Sequence, residues 1–443
     1  MKRTLLAAAA IATLTAVSPA SAADLLEIYR LALGSDPVYS AARASREAAQ
    51  EKLPQGLAGL LPQATFSAST QHNDRDLRFR NPTIAPSNAQ FNSNSASVSV
   101  TQPLYRRQNL VAYDQGKTQV ALADAQFAAA AQDLILRVSQ AYFDVLLAGS
   151  NLSFTEAQKT AIAQQLEQAK RNFEVGNATI TDTHEAQARF DLVTSQEIAA
   201  RADLEVKNRA LEQLIGRAAP RLAGPGKTFV PAPPSPNSME TWVERARENS
   251  YTVRIAQQNM AFATQEVARN RGAHMPTLDA FATYSDAGSG SGVQGGAGTD
   301  TQSRVVGLQL AIPLYQGGVV NSRVREALAN EEKARQDLDN ARRSAELAAR
   351  QGYLGVTSSV AQVRALEAAL VSSQSSLDST LLGQQVGVRT QVDVLNAQQQ
   401  LFSARRDLAQ ARNNYILSLL RLFSAAGELD EADIQQINRS LEK

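Results

Sequence analysis

The sequence predicts an α+β chain in which one unit is built twice: a shorter helix, two amphipathic strands, a very long helix and a second helix. Three observations predict it. Landmarks recur at a nearly constant offset, proline is missing from two long tracts rich in Ala, Gln, Leu, Arg and Glu, and four stretches alternate apolar with small or polar residues. Gly176 returns as Gly387, Asp182 as Asp393, Gln187 as Gln398 and Gly216 as Gly427, each 211 residues on. Upstream, Gln102-Pro103-Leu104-Tyr105 pairs with Ile312-Pro313-Leu314-Tyr315, and Leu61-Pro62 with Met275-Pro276, at offsets of 210 and 214. So little drift implies two copies of one supersecondary unit. The expected boundaries are 1–22 for a leader, 23–217 and 238–427 for the two copies, 218–237 for a linker and 428–443 for a tail.

The leader comes first. Lys2 and Arg3, an apolar stretch from Leu5 to Val17, and Ala20-Ser21-Ala22 form a secretory signal peptide, cut after Ala22. Its apolar run is well short of the ~20 residues a spanning helix needs, which argues against an anchor. Losing Lys2 and Arg3 takes 44 basic residues against 43 acidic to 42 against 43. A nearly neutral chain has no general pull toward nucleic acid. There is no cysteine, so stability rests on packing or oligomerisation, and lipid attachment at a mature N-terminal cysteine is excluded. The mature chain holds no apolar run of 18 residues, so a membrane crossing would need strands in a closed barrel.

The strands are expected at Gln63–His72 and Asn94–Leu104, and again at Thr277–Ser285 and Ser303–Leu314. The last alternates Val306, Leu308, Leu310, Ile312 with Val305, Gly307, Gln309, Ala311. One apolar and one small or polar face over about ten residues suits a barrel strand between lipid and lumen, although a soluble hairpin packed on a core would share the pattern. His72–Ser93 and Ala287–Thr301 read as exposed loops. The second holds Gly290-Ser291-Gly292-Val293-Gln294-Gly295, a formal dinucleotide fingerprint without the helix and parallel unit that would give it meaning.

Each strand pair leads into a proline-free tract, Leu104 to about Lys170 and Val319 to about Leu382; the first would reach about 100 Å as one helix. Gly176 and Gly387 interrupt, and second helices run to Gly216 and Gly427. In one of these, Ala188, Leu192, Ser195, Ala199, Ala202 and Val206 recur at steps of three and four. Small side chains at helical spacing suit close antiparallel contacts of coiled-coil type. Two such helices have too little cross-section for a core of their own and want neighbours, most simply copies of themselves. Pro220, Pro225, Pro231, Pro233, Pro234 and Pro236 make the linker extended.

Catalytic chemistry finds no support. His72, His184 and His274 are far apart, and no metal-ligand cluster or nucleophile elbow is present. The residues imply neither an enzyme nor a cofactor or metal site.

Together with the doubled unit, the phrase Val386-Gly387-Val388-Arg389-Thr390-Gln391-Val392-Asp393-Val394-Leu395 and the repeated Pro-Leu-Tyr strand ends resemble the TolC-type outer-membrane efflux proteins. The resemblance covers about Asp24 to Gly427. It implies a homotrimer in which each protomer gives four strands to a shared β-barrel in the outer membrane, continued by a long α-helical coiled-coil barrel in the periplasm. Three chains of two units would give six similar units around one axis. It also implies an exit duct for a tripartite efflux or type I secretion system, with a periplasmic adaptor protein and an inner-membrane transporter of RND or ABC type as partners, outer-membrane lipid around the barrel and no nucleic acid. The competing expectation is a soluble periplasmic coiled-coil adaptor or scaffold, which leaves the two strand pairs unexplained.

By the same resemblance Asp393 matches the first acidic position of the constriction that closes the tunnel. Asn396 stands at the second, leaving one ring of carboxylates. Three carboxylates on an axis would attract cations and raise each other's pKa. Thr390-Gln391-Val392-Asp393 equally fits a helix cap, as Thr179-Ile180-Thr181-Asp182 does. Arg389 matches the latch arginine and Glu167 its acidic partner, while Gln384 stands where the latch carries an aromatic residue. A partly exposed pair of this kind contributes no more than about 1 kcal/mol. Adaptor contacts are expected at the helix turns, at Val175, Gly176, Val386 and Gly387.

Overall fold

The computed structural model describes residues 22–78, 80–81, 83, 86–176, 178–224, 230–294 and 297–439. Residues 1–21 of the expected signal peptide, residues 225–229 of the expected linker and Gly295 of the glycine-rich phrase lie outside them. Three helices open the chain: α1 (Leu25–Ser35), α2 (Pro37–Gln50) and α3 (Lys52–Ala58). Strands β1 (Gln63–Leu77) and β2 (Ser87–Tyr105) lead to α4 (Arg107–Glu174) and α5 (Ile180–Ile215). The same order follows with α6 (Met239–Asn249), α7 (Tyr251–Arg271), β3 (Thr277–Gln294), β4 (Ala297–Ala311), α8 (Val319–Gln385) and α9 (Gln391–Ala425), before a final α10 (Glu431–Asn438). Among the described residues no helix is long and apolar enough to cross a membrane. The chain divides into two compact units, each drawn from both sequence halves: Met1–Ser40, Ala130–Ala246 and Leu347–Lys443 in one, Ala41–Ala129 and Arg247–Glu346 in the other.

The second unit holds one antiparallel sheet in the order β1-β2-β3-β4. Its register sorts the side chains onto two faces. Phe66, Val98 and Tyr284 fall in one row, Val100, Ala282 and Val306 in the next, and Leu308 and Leu310 follow on the same face. These are outward apolar groups: Phe66 is 69 % exposed and Val306 84 %. The other face carries Ser67, Ser97, Ser285 and Ser303 in one row and Thr65, Ser99 and Thr283 in its neighbour. Hydroxyls there bond across strands, Ser67 to Ser97 at 2.8 Å and Ser69 to Ser95 at 2.9 Å. The expected alternation is therefore present, and it runs through all four strands.

The strands differ from expectation at both ends. β4 stops at Ala311, short of Ile312 and Leu314, because Pro313 has no N–H to continue a ladder. At the far ends all four strands run on into sequence expected to loop. Polar side chains sustain the pairing there: Thr70 donates to Asn94 at 2.7 Å, His72 and Asn92 lie 2.8 Å apart, and Gln90 donates to Asp74 at 3.1 Å. Glycines 288 and 290 sit within β3 rather than in a phosphate-binding turn. Where β2 passes into α4, Arg106 donates through Nε and Nη2 to Asp279 of β3, at 2.8 and 2.6 Å.

The first unit is helical, and its interior is built from Leu25, Ile28, Leu134, Tyr142, Phe143, Leu211, Trp242, Ile416, Leu420 and Leu422, all fully buried. The linker has a defined seat. Ala23 and Leu222 form a parallel bridge, and the Tyr142 hydroxyl donates to the Ala223 carbonyl at 2.6 Å. Burial pushes the Tyr142 phenol well above its ordinary value. Further on, Tyr415 donates to the Ala232 carbonyl at 2.9 Å and Trp242 to that of Pro236 at 2.8 Å. The tail forms α10, begun by an Asp430–Asp433 capping box and joined to α1 where Leu25 N–H donates to Asn438 at 3.1 Å.

Asp36 joins α1 to α2 and binds α4. Its carboxylate accepts the Tyr39 N–H at 3.0 Å and two bonds from Arg137, at 2.8 and 3.3 Å, while only 2 % exposed. The Arg137 guanidinium holds the Asp36 carboxyl below the usual range against the opposing effect of burial. A depressed carboxyl contributes stability above its unfolded pKa and loses it as pH falls through the folded one. Asp36→Ala is therefore expected to destabilise the helical unit by about 3 kcal/mol at neutral pH, the lower end for breaking a buried pair because Arg137 keeps Asp133. In denaturant titrations followed by circular dichroism, the gap from wild type should shrink below the ordinary carboxylate range. An unchanged gap there would remove the ionic pair as its cause.

Candidate functional site: the two helix-hairpin tips

Both helix pairs turn on a glycine with positive φ, +78° at Gly176 and +80° at Gly387. No atom lies within 4 Å of where a Cβ would stand at either, so the backbone conformation, not crowding, demands glycine. Each second helix then starts with the same capping box. At α5 the Asp182 carboxylate accepts from the Thr179 N–H at 2.9 Å and its hydroxyl at 2.8 Å; at α9 Asp393 accepts from Thr390 at 2.9 Å in both. These bonds hold the Asp393 carboxyl below its ordinary value, backbone donation first and the nearby Arg389 charge last. The cap reading thus describes both aspartates within one chain.

The expected pair of Arg389 and Glu167 does not form within the chain. Glu167 accepts from Lys170 one helical turn on, at 3.1 Å. Arg389 is laid over Gly383, where a Cβ would come within 2.7 Å of its Cγ. Val388 and Arg389 N–H groups both donate to the Gly383 carbonyl, at 2.9 and 3.2 Å, and close the hairpin. Gln384 has a different partner: it donates to Gln391 of α9, which donates to Gln165 of α4. A second tie comes from α5, where Arg189 donates to Gln399 at 2.6 Å and to Asn396 at 3.0 Å. So four helices, α4, α5, α8 and α9, are linked by amides and an arginine where a single charged pair was expected. Gln165, Gln391, Arg189 and Gln399 were not legible as partners because each is an ordinary helix-surface residue until the hairpins are laid side by side.

The tips expose apolar side chains. Val175 is 68 % exposed, Val386 66 % and Val388 74 %, with Phe173 and Ile180 beside the first turn. Asn177 lies outside the described residues. Among the described residues no group of three His, Cys, Asp or Glu side chains converges.

A two-faced four-stranded sheet, twin long-helix hairpins and an acid at the second turn now stand together. The model of the outer membrane efflux protein family matches residues 28–217 and again 242–428. The chain belongs to that family. Among its relatives, the outer membrane protein TolC of Vibrio cholerae is 35 % identical over 439 residues, 99 % of this chain and 98 % of that one. TolC of Escherichia coli is 34 % identical, covering 96 % and 86 %. The alkaline protease secretion protein AprF of Pseudomonas aeruginosa is 34 % identical, covering 94 % and 87 %. The fold is shared with solved structures of low identity. The outer membrane protein VceC of Vibrio cholerae superposes with a TM-score of 0.77 at 17 % identity, covering 91 % of this chain and 96 % of that one. A membrane protein of Pseudomonas aeruginosa reaches 0.80 at 18 %, covering 92 % and 91 %. An outer-membrane efflux protein is a transport protein, and this excludes the soluble periplasmic scaffold.

Positive φ at the turns gives a direct check. Gly387→Ala is expected to cost about 1 kcal/mol, because an L side chain is strained there even in open space, while Gly387→Asn costs less. Hydrogen exchange of the amides from 383 to 393 should quicken in the alanine variant and much less in the asparagine one. Equal protection in all three would mean that the turn does not need a left-handed residue.

Proposed function

We propose that three copies of this chain form a passive exit duct, four strands from each closing a barrel in the outer membrane and the helices continuing it through the periplasm. The observation that carries this reading is the sheet. It exposes an apolar face, its β1 and β4 edges have no partner among the described residues, and a hydroxyl-lined face opposes the apolar one. A sheet with open edges in lipid is untenable, whereas twelve strands from three copies leave none open. The helices support the same stoichiometry. The α5 stripe of Ala188, Leu192, Ser195, Ala199, Ala202 and Val206 faces outward along its whole length, a surface suited to a neighbouring helix.

In this duct the first turn of α9 forms the constriction, with Asp393 as its single carboxylate ring and Asn396 behind it. Arg389 stabilises the charge of that ring, and the Gln384–Gln391–Gln165 relay with the Arg189 clasp holds α9 closed. A periplasmic adaptor seats on the tips around Val175, Gly176, Val386 and Gly387, whose valines are exposed. Docking, with an inner-membrane transporter supplying the energy, opens the closed end for tripartite efflux or type I secretion. The relative named for alkaline protease secretion supports the secretion role, and the family description supports efflux.

Conductance of the purified protein in planar bilayers tests both duct and constriction. Wild type is expected to pass current with cation preference, and Asp393→Asn to bring the cation-to-anion permeability ratio toward one. Within one chain the capping bonds lower the Asp393 pKa, whereas three carboxylates brought onto an axis raise it. A selectivity midpoint above the ordinary aspartate value therefore identifies the ring. A midpoint below it, or a ratio unmoved by Asp393→Asn, leaves the residue a cap alone; no conductance at all would sink the duct.

A further inference from the structure

One rule of register runs through the strands. In the first hairpin Gln63, next after Pro62, faces Thr101, two residues before Pro103. In the second, Thr277, next after Pro276, faces Ala311, two residues before Pro313. The two copies of the unit thus align on their prolines without slip. Between the hairpins, β2 lies on β3 with Pro103 opposite Asp279, three residues past Pro276. The outer edges, β4 and β1, are the repeat equivalents of β2 and β3 and have no partner among the described residues. Carried to β4 of one copy and β1 of the next, the rule sets Pro313 opposite the partner subunit's Thr65. Counting along from there, Leu310 meets the partner subunit's Ala68, and Arg304 meets the partner subunit's Asp74.

Arg304 and Asp74 are suited to meet. Arg304 is exposed and shares a row of the apolar face with Phe66, Val98 and Tyr284. No carboxylate among the described residues pairs with it, and its guanidinium lies 5.8 Å from the centre of the Tyr284 ring. A cation beside lipid is costly unless paired. Asp74 is exposed too, and accepts from Gln90 at 3.1 Å through Oδ2, which leaves Oδ1 for another donor. The equivalent positions within the chain are Asn94 and Gly288, which face each other uncharged. The seam within the chain has its ion pair at the other end, Arg106 with Asp279, and the equivalents of those two are the uncharged Gln316 and Thr65.

We propose that β4 of one copy pairs with β1 of the next in this register, tied by Arg304 and the partner subunit's Asp74. Two seams marked by charge at opposite ends cannot be exchanged without loss, so each edge selects its own partner. A slip of one residue puts the two charges on opposite faces of the sheet. The contact is head-to-tail, using a different edge on each copy, and so it closes into a ring. This seam exists only in the three-copy duct proposed above, and on that reading it rests.

The absence of cysteine lets paired thiols report the seam. Facing Cβ atoms on neighbouring strands lie about 5 Å apart and diagonal ones about 7 Å, so only facing thiols link readily. Ala68→Cys with Leu310→Cys, and Ser69→Cys with Gln309→Cys, test two successive rungs. On oxidation of the detergent-purified full-length protein, one or both are expected to join copies about tenfold more than Phe66→Cys or Thr70→Cys with Leu310→Cys. Arg304→Asp and Asp74→Arg should each lower the temperature at which the copies dissociate, by about 5 °C, and together restore it. Arg304→Gln and Asp74→Asn, which should lose no more together than singly, replace the reversals should those fold poorly. Links at a slipped rung, no link at either expected rung, or charge effects that simply add would overturn the seam. Threefold particles with any of these results keep the duct and reject its register; a monomer in detergent rejects both.

Discussion

Thin elements leave little interior, and this constraint governs the molecule. A helix of 68 residues reaches about 100 Å and offers its neighbours only a narrow stripe. The fold meets the constraint by concentrating its core where several elements coincide, around Tyr142, Trp242, Leu211 and Leu420 in the helical unit. Away from there, apolar groups point outward: Leu192 and Val206 from α5, Leu308 and Leu310 from β4. In the proposed duct another helix covers the first of these surfaces and lipid the second. In the proposed trimer, dependence on partners follows from the shape of the elements.

The same economy shows at the tips. Each hairpin is closed by backbone devices that cost no core: a left-handed glycine, a threonine cap and an aspartate that returns the bond. What ties one hairpin to the other there is largely polar, with Leu395 of the second hairpin packed into the apolar cluster of the first. An amide relay and an arginine clasp contribute specificity of position more than depth of stability, since such bonds exchange readily with water. In the proposed duct, ties of that strength suit an end that opens on docking.

Much of this architecture was legible in the sequence, for identifiable reasons. The 211-residue offset, the proline-free tracts and the Val306-Leu308-Leu310 alternation are local or periodic signals, and the helices and sheet faces follow them closely. The glycine turns were legible because Gly176 and Gly387 recur with Thr-x-x-Asp behind them. Strand ends were not: Thr70, His72 and Gln90 look like loop residues until a partner strand supplies their hydrogen bonds. The latch was the hardest part. Arg389 and Glu167 matched a family pattern, but Glu167 found a nearer cation in Lys170, one turn away on its own helix. Gln165 and Gln391 lie 226 residues apart, and only the packed hairpins bring them together. The α10 tail escaped because its capping acids read simply as charge.

The central claim is that this chain is completed by two more copies around a membrane barrel. Electron microscopy of the detergent-purified protein tests it most directly. The account predicts threefold particles with a short barrel at one end and a long helical body. Single rods without a barrel, obtained without detergent, would contradict it.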